Sequence, residues 1–158
     1  MRRSNSAVAI VQCGGNKVWK KRSRAGSVPA KEAYVSGYFR KNRAYAEKFA
    51  DKWYILSAKY GFLEPDTPIR NYDISFQQPG TKPISSEGLK KNARDKGLHR
   101  YKHVVVLGGA LYADKVEEAL EGADCKVYRP FARFKGIGYI QQAVSQALRS
   151  GRPLRLRG

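Results

Sequence analysis

The segment LSAKYGFLEPDTPIRNYD, residues 56–73, concentrates side chains that could bind and cleave a nucleoside. A tyrosine can stack on a base, and an asparagine can read its hydrogen-bonding edge. A carboxylate could orient a water molecule or stabilise the oxocarbenium-like transition state of glycosidic bond cleavage. We therefore predict a catalytic set of Asp73, Asn71 and Lys59, in which Lys59 could instead form a Schiff base with the sugar. Asp73 could alternatively form a structural salt bridge or cap a turn.

Glycines follow two apolar runs elsewhere in the chain, in CGGNK and in HVVVLGG. Glycine permits a tight turn or the close approach of a ligand to the backbone. The second pair could also serve only the close packing of a strand against a helix. Together with the polar and tyrosine side chains nearby, these turns predict the substrate-binding residues Gln12, Cys13, Gly14, Asn16, Ser57, Tyr60, Tyr72, Gly108 and Gly109.

The charge of the chain is strongly one-sided, with 31 Lys and Arg against 13 Asp and Glu and a net charge of +18. The first 59 residues contain only the acids Glu32, Glu47 and Asp51. A small domain this basic attracts polyanions, with nucleic acid first among them, although a merely basic protein is the alternative. The residues expected to contact a nucleic-acid backbone are Lys17, Lys20, Lys21, Arg22, Arg40, Arg43, Arg133 and Lys135.

The sequence gives no sign of a metal site, a cofactor site or a membrane span. The two cysteines and two histidines do not complete a zinc-ligand spacing, and neither a P-loop nor a dinucleotide-binding motif is present. We therefore expect no metal and no cofactor, and reduced, buried thiols. No run approaches the roughly 18 apolar residues of a membrane span. We expect a monomeric cytoplasmic protein that does not bind membranes.

Apolar strand-like runs alternate with helical patterns along the chain. This alternation predicts an α/β fold with three layers and a mostly parallel sheet with helices on both faces. Gly37 could divide the first helical segment into two. The predicted strands are 7–12, 52–58, 103–109 and 125–130, and the predicted helices are 30–50, 85–97, 110–122 and 136–150. We expect one domain over residues 1–150 and a basic flexible tail over residues 151–158.

The candidate residues cluster in the loops that follow the predicted strands. In parallel α/β sheets, ligands bind outside the carboxyl ends of the strands. We therefore expect loops that are distant in sequence to meet at this edge and to form one site.

Four segments together carry a family resemblance: CGGNK, AYVSGYFRKNRAYAE, WYILSAKYGFLEPDTPIRNYD and HVVVLGGALYAD. Over roughly residues 8–140 they resemble the small bacterial and phage domains related to the peroxide-stress protein YaaA. In that group, a strand ending in a turn like LSAKYG leads to a proline-containing loop that ends in YD or YR. The resemblance permits a role in DNA binding.

The segment VVVLGGALYAD is also similar to an element of the uracil-DNA glycosylase superfamily. This second resemblance implies a four-stranded parallel sheet in the order 2-1-3-4 and an enzyme that excises bases. QCGGNK stands in place of that superfamily's GQDPYH motif. Asp73 would therefore have to position the water from a different loop.

These inferences converge on a DNA-binding hydrolase of the base glycosylase type. It would cleave the N-glycosidic bond of a modified or damaged base, as in DNA repair. The alternatives are a DNA- or RNA-binding protein without chemistry, of the YaaA type, and an N-glycosidic transferase that acts on free nucleotides.

Overall fold

The computed structural model describes residues 7–156. Residues 1–6 of the predicted domain and residues 157–158 of the predicted tail lie outside this range. The strands are β1 (Ala7–Gln12), β2 (Val28–Pro29), β3 (Lys52–Ser57), β4 (Gly61–Leu63), β5 (Pro68–Ile69), β6 (His103–Leu107) and β7 (Lys126–Tyr128). The helices are α1 (Ala30–Ala33), α2 (Gly37–Phe49), α3 (Ser86–Asp95), α4 (Ala110–Ala119) and α5 (Ile137–Ser150). Short 3-10 turns cover Val18–Lys20, Pro79–Thr81 and Leu98–Arg100.

The central sheet has the strand order β4-β3-β1-β6-β7. β1 lies in the middle and pairs in parallel with β3 and with β6, and β7 continues the parallel set. The expectation of a mostly parallel α/β sheet is confirmed. The predicted four-stranded sheet is incomplete, because β4 adds an antiparallel fifth strand beside β3. β2 and β5 form a separate two-stranded antiparallel sheet.

The central strands bury side chains on both faces, which explains their continuous apolar runs. Ala9 and Val11 of β1 belong to one core cluster, whose helical members come mainly from α2 and α5. Val8 and Ile10 belong to a second cluster, which includes the buried residues of α3 and α4. The alternation along β1 therefore divides the core into two parts, and each pair of helices packs on its own part.

The predicted helix over residues 30–50 is divided into two near Gly37, as the alternative for this segment predicts. Tyr34 has an extended backbone, and Ser36 caps α2 by accepting a hydrogen bond from the Phe39 N–H at 3.2 Å. A serine just before a helix accepts a hydrogen bond from one of the free N–H groups of the first turn, which favours a helix that starts at Gly37. The interruption leaves the Val35 N–H to donate to the Asn16 carbonyl, so the segment after α1 is joined to the loop after β1.

LSAKYG forms the tight connection between β3 and β4. The Ser57 hydroxyl oxygen accepts hydrogen bonds from the Lys59 and Tyr60 N–H groups, and Gly61 has φ of +75°. Such a positive φ favours glycine. The Phe62 N–H donates to Asn92 Oδ1 of α3 at 2.7 Å, which fastens the edge strand to the neighbouring helix.

The residues after α5 also contact the domain as far as they are described. The Leu154 N–H donates to the Tyr45 hydroxyl at 2.8 Å, and its side chain packs against the cluster that includes α2 and α5. Arg133 donates to the Arg155 carbonyl at 3.2 Å. These contacts hold Leu154 and Arg155 against α2 and against the loop that precedes α5. Within residues 7–156, no helix combines the length and the apolar character needed to cross a bilayer.

We predict that Asn92→Ala destabilises the protein by about 1–3 kcal/mol, because the Phe62 N–H loses its acceptor. Urea unfolding monitored by circular dichroism measures this change. Asn92→Asp keeps an acceptor oxygen and serves as the control, with a smaller loss expected. Equal stability of Asn92→Ala and the wild type would show that this bond does not hold the edge strand.

Candidate functional site

Four hydroxyl groups and one thiol meet at the carboxyl edge of the sheet. We call this set the hydroxyl–thiol cluster; it comprises Cys13, Tyr34, Ser57, Tyr72 and Tyr112. The Ser57 hydroxyl donates to Tyr72 Oη at 3.0 Å, and the Tyr72 and Tyr34 hydroxyls share a hydrogen bond at 2.6 Å. Cys13 Sγ lies 3.6 Å from Tyr112 Oη. The first set of bonds joins three segments of the chain and the second joins two, at the ends of β1, β3 and β6.

Burial determines the protonation of this cluster. It raises the pKa of the Cys13 thiol above its usual range, and it does the same for the hydroxyls of Tyr34, Tyr72 and Tyr112. Desolvation disfavours the thiolate and phenolate forms. All these groups are therefore neutral at pH 7, so the cluster contains no general base, and its hydroxyls serve one another inside the fold.

A concave surface beside the cluster is lined by cations; we call it the basic cleft. It has a volume of about 670 Å³ and is lined by Asn16, Lys17, Val18, Lys20, Lys21, Arg22, Val35 and Arg40. Within residues 7–156, none of its five cations forms a salt bridge. Their charge is thus not neutralised by a carboxylate of the described chain and remains available to an anionic ligand.

Arg40 belongs to α2, and the loop that carries the other four cations has a buried anchor. Trp19 is 4% exposed and belongs to the core, and its indole N–H donates to the Gly26 carbonyl at 2.6 Å. Backbone bonds of the short turn over Val18–Lys20 hold the neighbouring residues. The basic loop is therefore fixed to the domain through an aromatic side chain in its middle.

Lys17 connects the basic cleft to the hydroxyl–thiol cluster. It lines the cleft, forms a backbone bridge with Tyr34, and places its Nζ 4.5 Å from the centre of the Tyr72 ring. A cation over an aromatic face is attracted by the electron density of the ring. A ligand in the cleft would therefore lie close to the cluster.

The loop after β6 fits closely against the end of β1. Gln12 Oε1 accepts a hydrogen bond from the Gly109 N–H at 2.9 Å. A Cβ atom on Gly108 would lie only 2.8 Å from Gln12 Cβ, whereas one on Gly109 would have no neighbour nearer than 3.8 Å. Gly108 is thus required for packing, which was the structural alternative considered for this glycine pair.

Most of the predicted substrate-binding residues lie at this edge. Gln12, Cys13, Ser57, Tyr72, Gly108 and Gly109 belong to the contacts described above. Gly14 packs closely on Ser36, whose Oγ would lie 3.2 Å from an added Cβ, and Asn16 lines the basic cleft. Tyr60 packs its ring edge-on against Tyr72, with 5.5 Å between the ring centres. The loops converge. The Ser57 hydroxyl, however, is already hydrogen-bonded to the turn after β3 and to Tyr72.

The predicted catalytic residues lie on the outer side of the same loops. Asn71, Asp73 and Lys59 are exposed, whereas Tyr72 between the first two points inward. Asp73 makes no hydrogen bond or salt bridge with any residue in the range 7–156. The Lys59 ammonium lies 5.1 Å from the centre of the Tyr60 ring. None of the three joins the hydroxyl–thiol cluster, and their catalytic roles stay predictions.

Three of the predicted phosphate-binding residues do not line the basic cleft. Arg43 forms a salt bridge with Glu47 at 3.1 Å and also donates to the Lys31 carbonyl. Arg133 lies beside the chain that follows α5, and Lys135 is exposed in the loop before that helix. The other five, Lys17, Lys20, Lys21, Arg22 and Arg40, are gathered in the cleft.

Two members of the cluster, Tyr34 and Tyr112, are not among the site residues that the sequence predicts. Both lie in predicted helices. A buried tyrosine needs a partner for its hydroxyl. This requirement, together with the position of Tyr112 just after a glycine pair, is the signal that would have found it. The described residues contain no group of three or more His, Cys, Asp or Glu side chains that could hold a metal ion.

We predict that Gly108→Ala destabilises the protein by about 1–3 kcal/mol, because two backbone-attached Cβ atoms cannot move apart without separating the ends of β1 and β6. Gly109→Ala is the matched control and should change the free energy of unfolding little, since its φ of −77° suits any residue and the added methyl makes only an ordinary contact, with Gln12 Oε1 at 3.8 Å. Thermal unfolding of both variants measures the difference. Equal melting temperatures would contradict the proposed close fit.

Residues 8–145 match the family described as a family of unknown function, DUF6884. The chain is also similar to the uncharacterized protein YfjM of Bacillus subtilis strain 168, with 36% identity over 142 residues that cover 89% of this chain and 94% of the relative. No solved structure matches the chain significantly. These matches do not establish either of the two resemblances inferred from the motifs. The chain belongs to the family of unknown function DUF6884.

Proposed function

We propose that the protein binds nucleic acid, expected to be DNA, with the phosphates in the basic cleft. The observation that carries this proposal is the convergence of Lys17, Lys20, Lys21, Arg22 and Arg40 on one concave surface without a carboxylate partner among the described residues. Phosphate contacts of this kind release condensed counterions and supply most of the sequence-independent affinity for DNA.

The distribution of charge supports the same proposal. Five of the thirteen acidic side chains lie in or just after α4, where Asp114 and Glu117 both pair with Arg129. The cleft, by contrast, presents ammonium and guanidinium groups without such partners. A positive surface opposite a more acidic one orients the protein toward a polyanion.

Replacing Lys20, Lys21 and Arg22 together by Gln should weaken binding to a short DNA duplex by at least about tenfold near 0.1 M salt. The slope of log K against log salt should fall in magnitude by about 0.9 for each phosphate contact removed. Fluorescence anisotropy titrations at several salt concentrations measure both quantities.

The control removes the same charge from another surface. Lys90, Lys91 and Arg94 of α3 are replaced together by Gln, which lowers the net charge equally. The α3 variant should bind DNA almost as tightly as the wild type. Equal losses in the two variants would mean that only overall charge attracts DNA, and would contradict a site in the cleft.

A second candidate function is hydrolysis of the N-glycosidic bond of a modified or damaged base. It is favoured by the free carboxylate of Asp73, which follows Tyr72 of the cluster directly and is not tied up in an ion pair with the described residues. The basic cleft, which Lys17 connects to Tyr72, would hold the phosphates nearby. Asp73 would then orient the attacking water or stabilise the cationic sugar.

Incubation with DNA that contains different modified bases should generate abasic sites if this second function holds. Asp73→Asn should lower the rate by at least about 100-fold, because the charge of the carboxylate is lost. Glu121→Gln, an exposed acid beyond α4, is the matched control and should leave the rate unchanged. Unaltered cleavage by Asp73→Asn would rule out this mechanism, and DNA binding without any abasic product would leave a binding protein.

A further inference from the structure

A small apolar cavity opens at the carboxyl edge, next to the glycine pair that follows β6. It has a volume of about 270 Å³ and lies between the start of α4 and the segment that joins β7 to α5. The lining residues that matter most are Gly109, Ala110, Arg129, Phe131, Phe134 and Ile140. No described side chain of the hydroxyl–thiol cluster or of the basic cleft lines it, so it is a separate feature of the edge.

The size of the cavity limits its ligand. Pockets for drug-sized molecules occupy roughly 300–1,000 Å³. This cavity lies just below that range and therefore suits one small ring system rather than a whole nucleotide. Its walls of Phe131, Phe134 and Ile140, facing bare glycine backbone, favour a flat apolar surface.

The one charged group in the lining is already neutralised. Arg129 donates to Asp114 at 2.7 Å and to Glu117 at 3.0 Å, and these two carboxylates raise the pKa of its guanidinium. A guanidinium held by two carboxylates has little remaining attraction for a phosphate. The cavity therefore favours an uncharged ligand, in contrast to the basic cleft.

A polar group stands beside the cavity. Gln12 Oε1 accepts from the N–H of Gly109, which identifies the other atom of this amide as the Nε2 donor. Nε2 makes no hydrogen bond with residues 7–156. A donor within a few ångströms of Gly109 can bind a ring nitrogen or carbonyl at the edge of a base.

We propose that this cavity binds a single nucleobase of the nucleic acid, with the ring against Phe131 or Phe134 and one edge toward the Gln12 amide. The inference rests on the proposed function, since the base would reach the cavity from a strand whose phosphates lie in the basic cleft. Bases that leave a stack are commonly read in this way, by stacking and by hydrogen bonds to one edge.

The test separates the base from the phosphate. Adenosine, guanosine, cytidine and uridine are titrated into the full-length protein, with ribose 5-phosphate as the ligand that lacks a base. Amide chemical shifts in ¹⁵N spectra report where each one binds. At least one nucleoside should shift the Gly109 signal, whereas ribose 5-phosphate should shift the signals of the basic cleft alone.

Ala110→Leu should weaken nucleoside binding at least tenfold by filling the cavity from the exposed first position of α4. Ala123→Leu, just beyond the other end of the same helix, is the matched control and should bind as the wild type does. Ala132→Leu, at an exposed position of the lining, gives a second filled variant should Ala110→Leu unfold. Both filled variants should keep their affinity for ribose 5-phosphate.

The outcomes are distinct. The cavity assignment would be overturned if both filled variants bind nucleosides as tightly as the wild type. It would also be overturned if nucleosides shift the amide signals of Tyr60 and Tyr72 but not that of Gly109. Absence of nucleoside binding would do the same even if DNA still binds. If the wild-type protein binds nucleosides in the cavity but binds neither ribose 5-phosphate nor duplex DNA, the proposed function is overturned and the cavity remains a base site.

Discussion

The Tyr72 hydroxyl is the contact on which the carboxyl edge depends. Leaving a buried hydroxyl without a partner costs roughly 1–3 kcal/mol, so the segments around it must stay close. Ser57 supplies a donor from the turn after β3, and Tyr34 supplies a hydroxyl from the interruption before α2. Lys17 covers the outer face of the ring. One phenol therefore fixes the relative positions of three loops that are distant in sequence.

The charged side chains of the described chain fall into two groups, those in salt bridges and the unpaired cations of the basic cleft. The salt bridges of the described chain are mostly exposed and contribute little to stability, as ion pairs in water do. The unpaired cations of the basic cleft oppose folding slightly through mutual repulsion. Their position on a common concave surface therefore calls for a functional explanation, and a phosphate-bearing ligand would relieve the repulsion.

Sequence patterns were sufficient where burial on both faces leaves an unbroken apolar run, as in β1 and β6. They failed for β4, because three residues inside a proline-rich stretch carry too little periodicity to be recognised as a strand. Gly37 indicated that the helical segment over residues 30–50 could divide in two, but the extended backbone at Tyr34 was not predicted, because the cap formed by Ser36 outweighs the helical spacing of its neighbours. The convergence of Gln12, Cys13, Tyr72 and Gly109 followed from topology. The outward orientation of the Asp73 side chain could not be predicted. It depends on the inward orientation of Tyr72, which is fixed by the tertiary hydrogen bond between the Tyr72 and Ser57 hydroxyls.

Trp19 gives the basic loop a property that its composition does not suggest. Segments this rich in lysine and arginine are often disordered until they meet their partner, and ordering them consumes part of the interaction energy. Here the indole is already clamped between the core and the Gly26 carbonyl. Binding of nucleic acid to the basic cleft would then proceed without folding of the loop. The heat-capacity change of binding should therefore stay small, and the association rate should be governed by electrostatic steering.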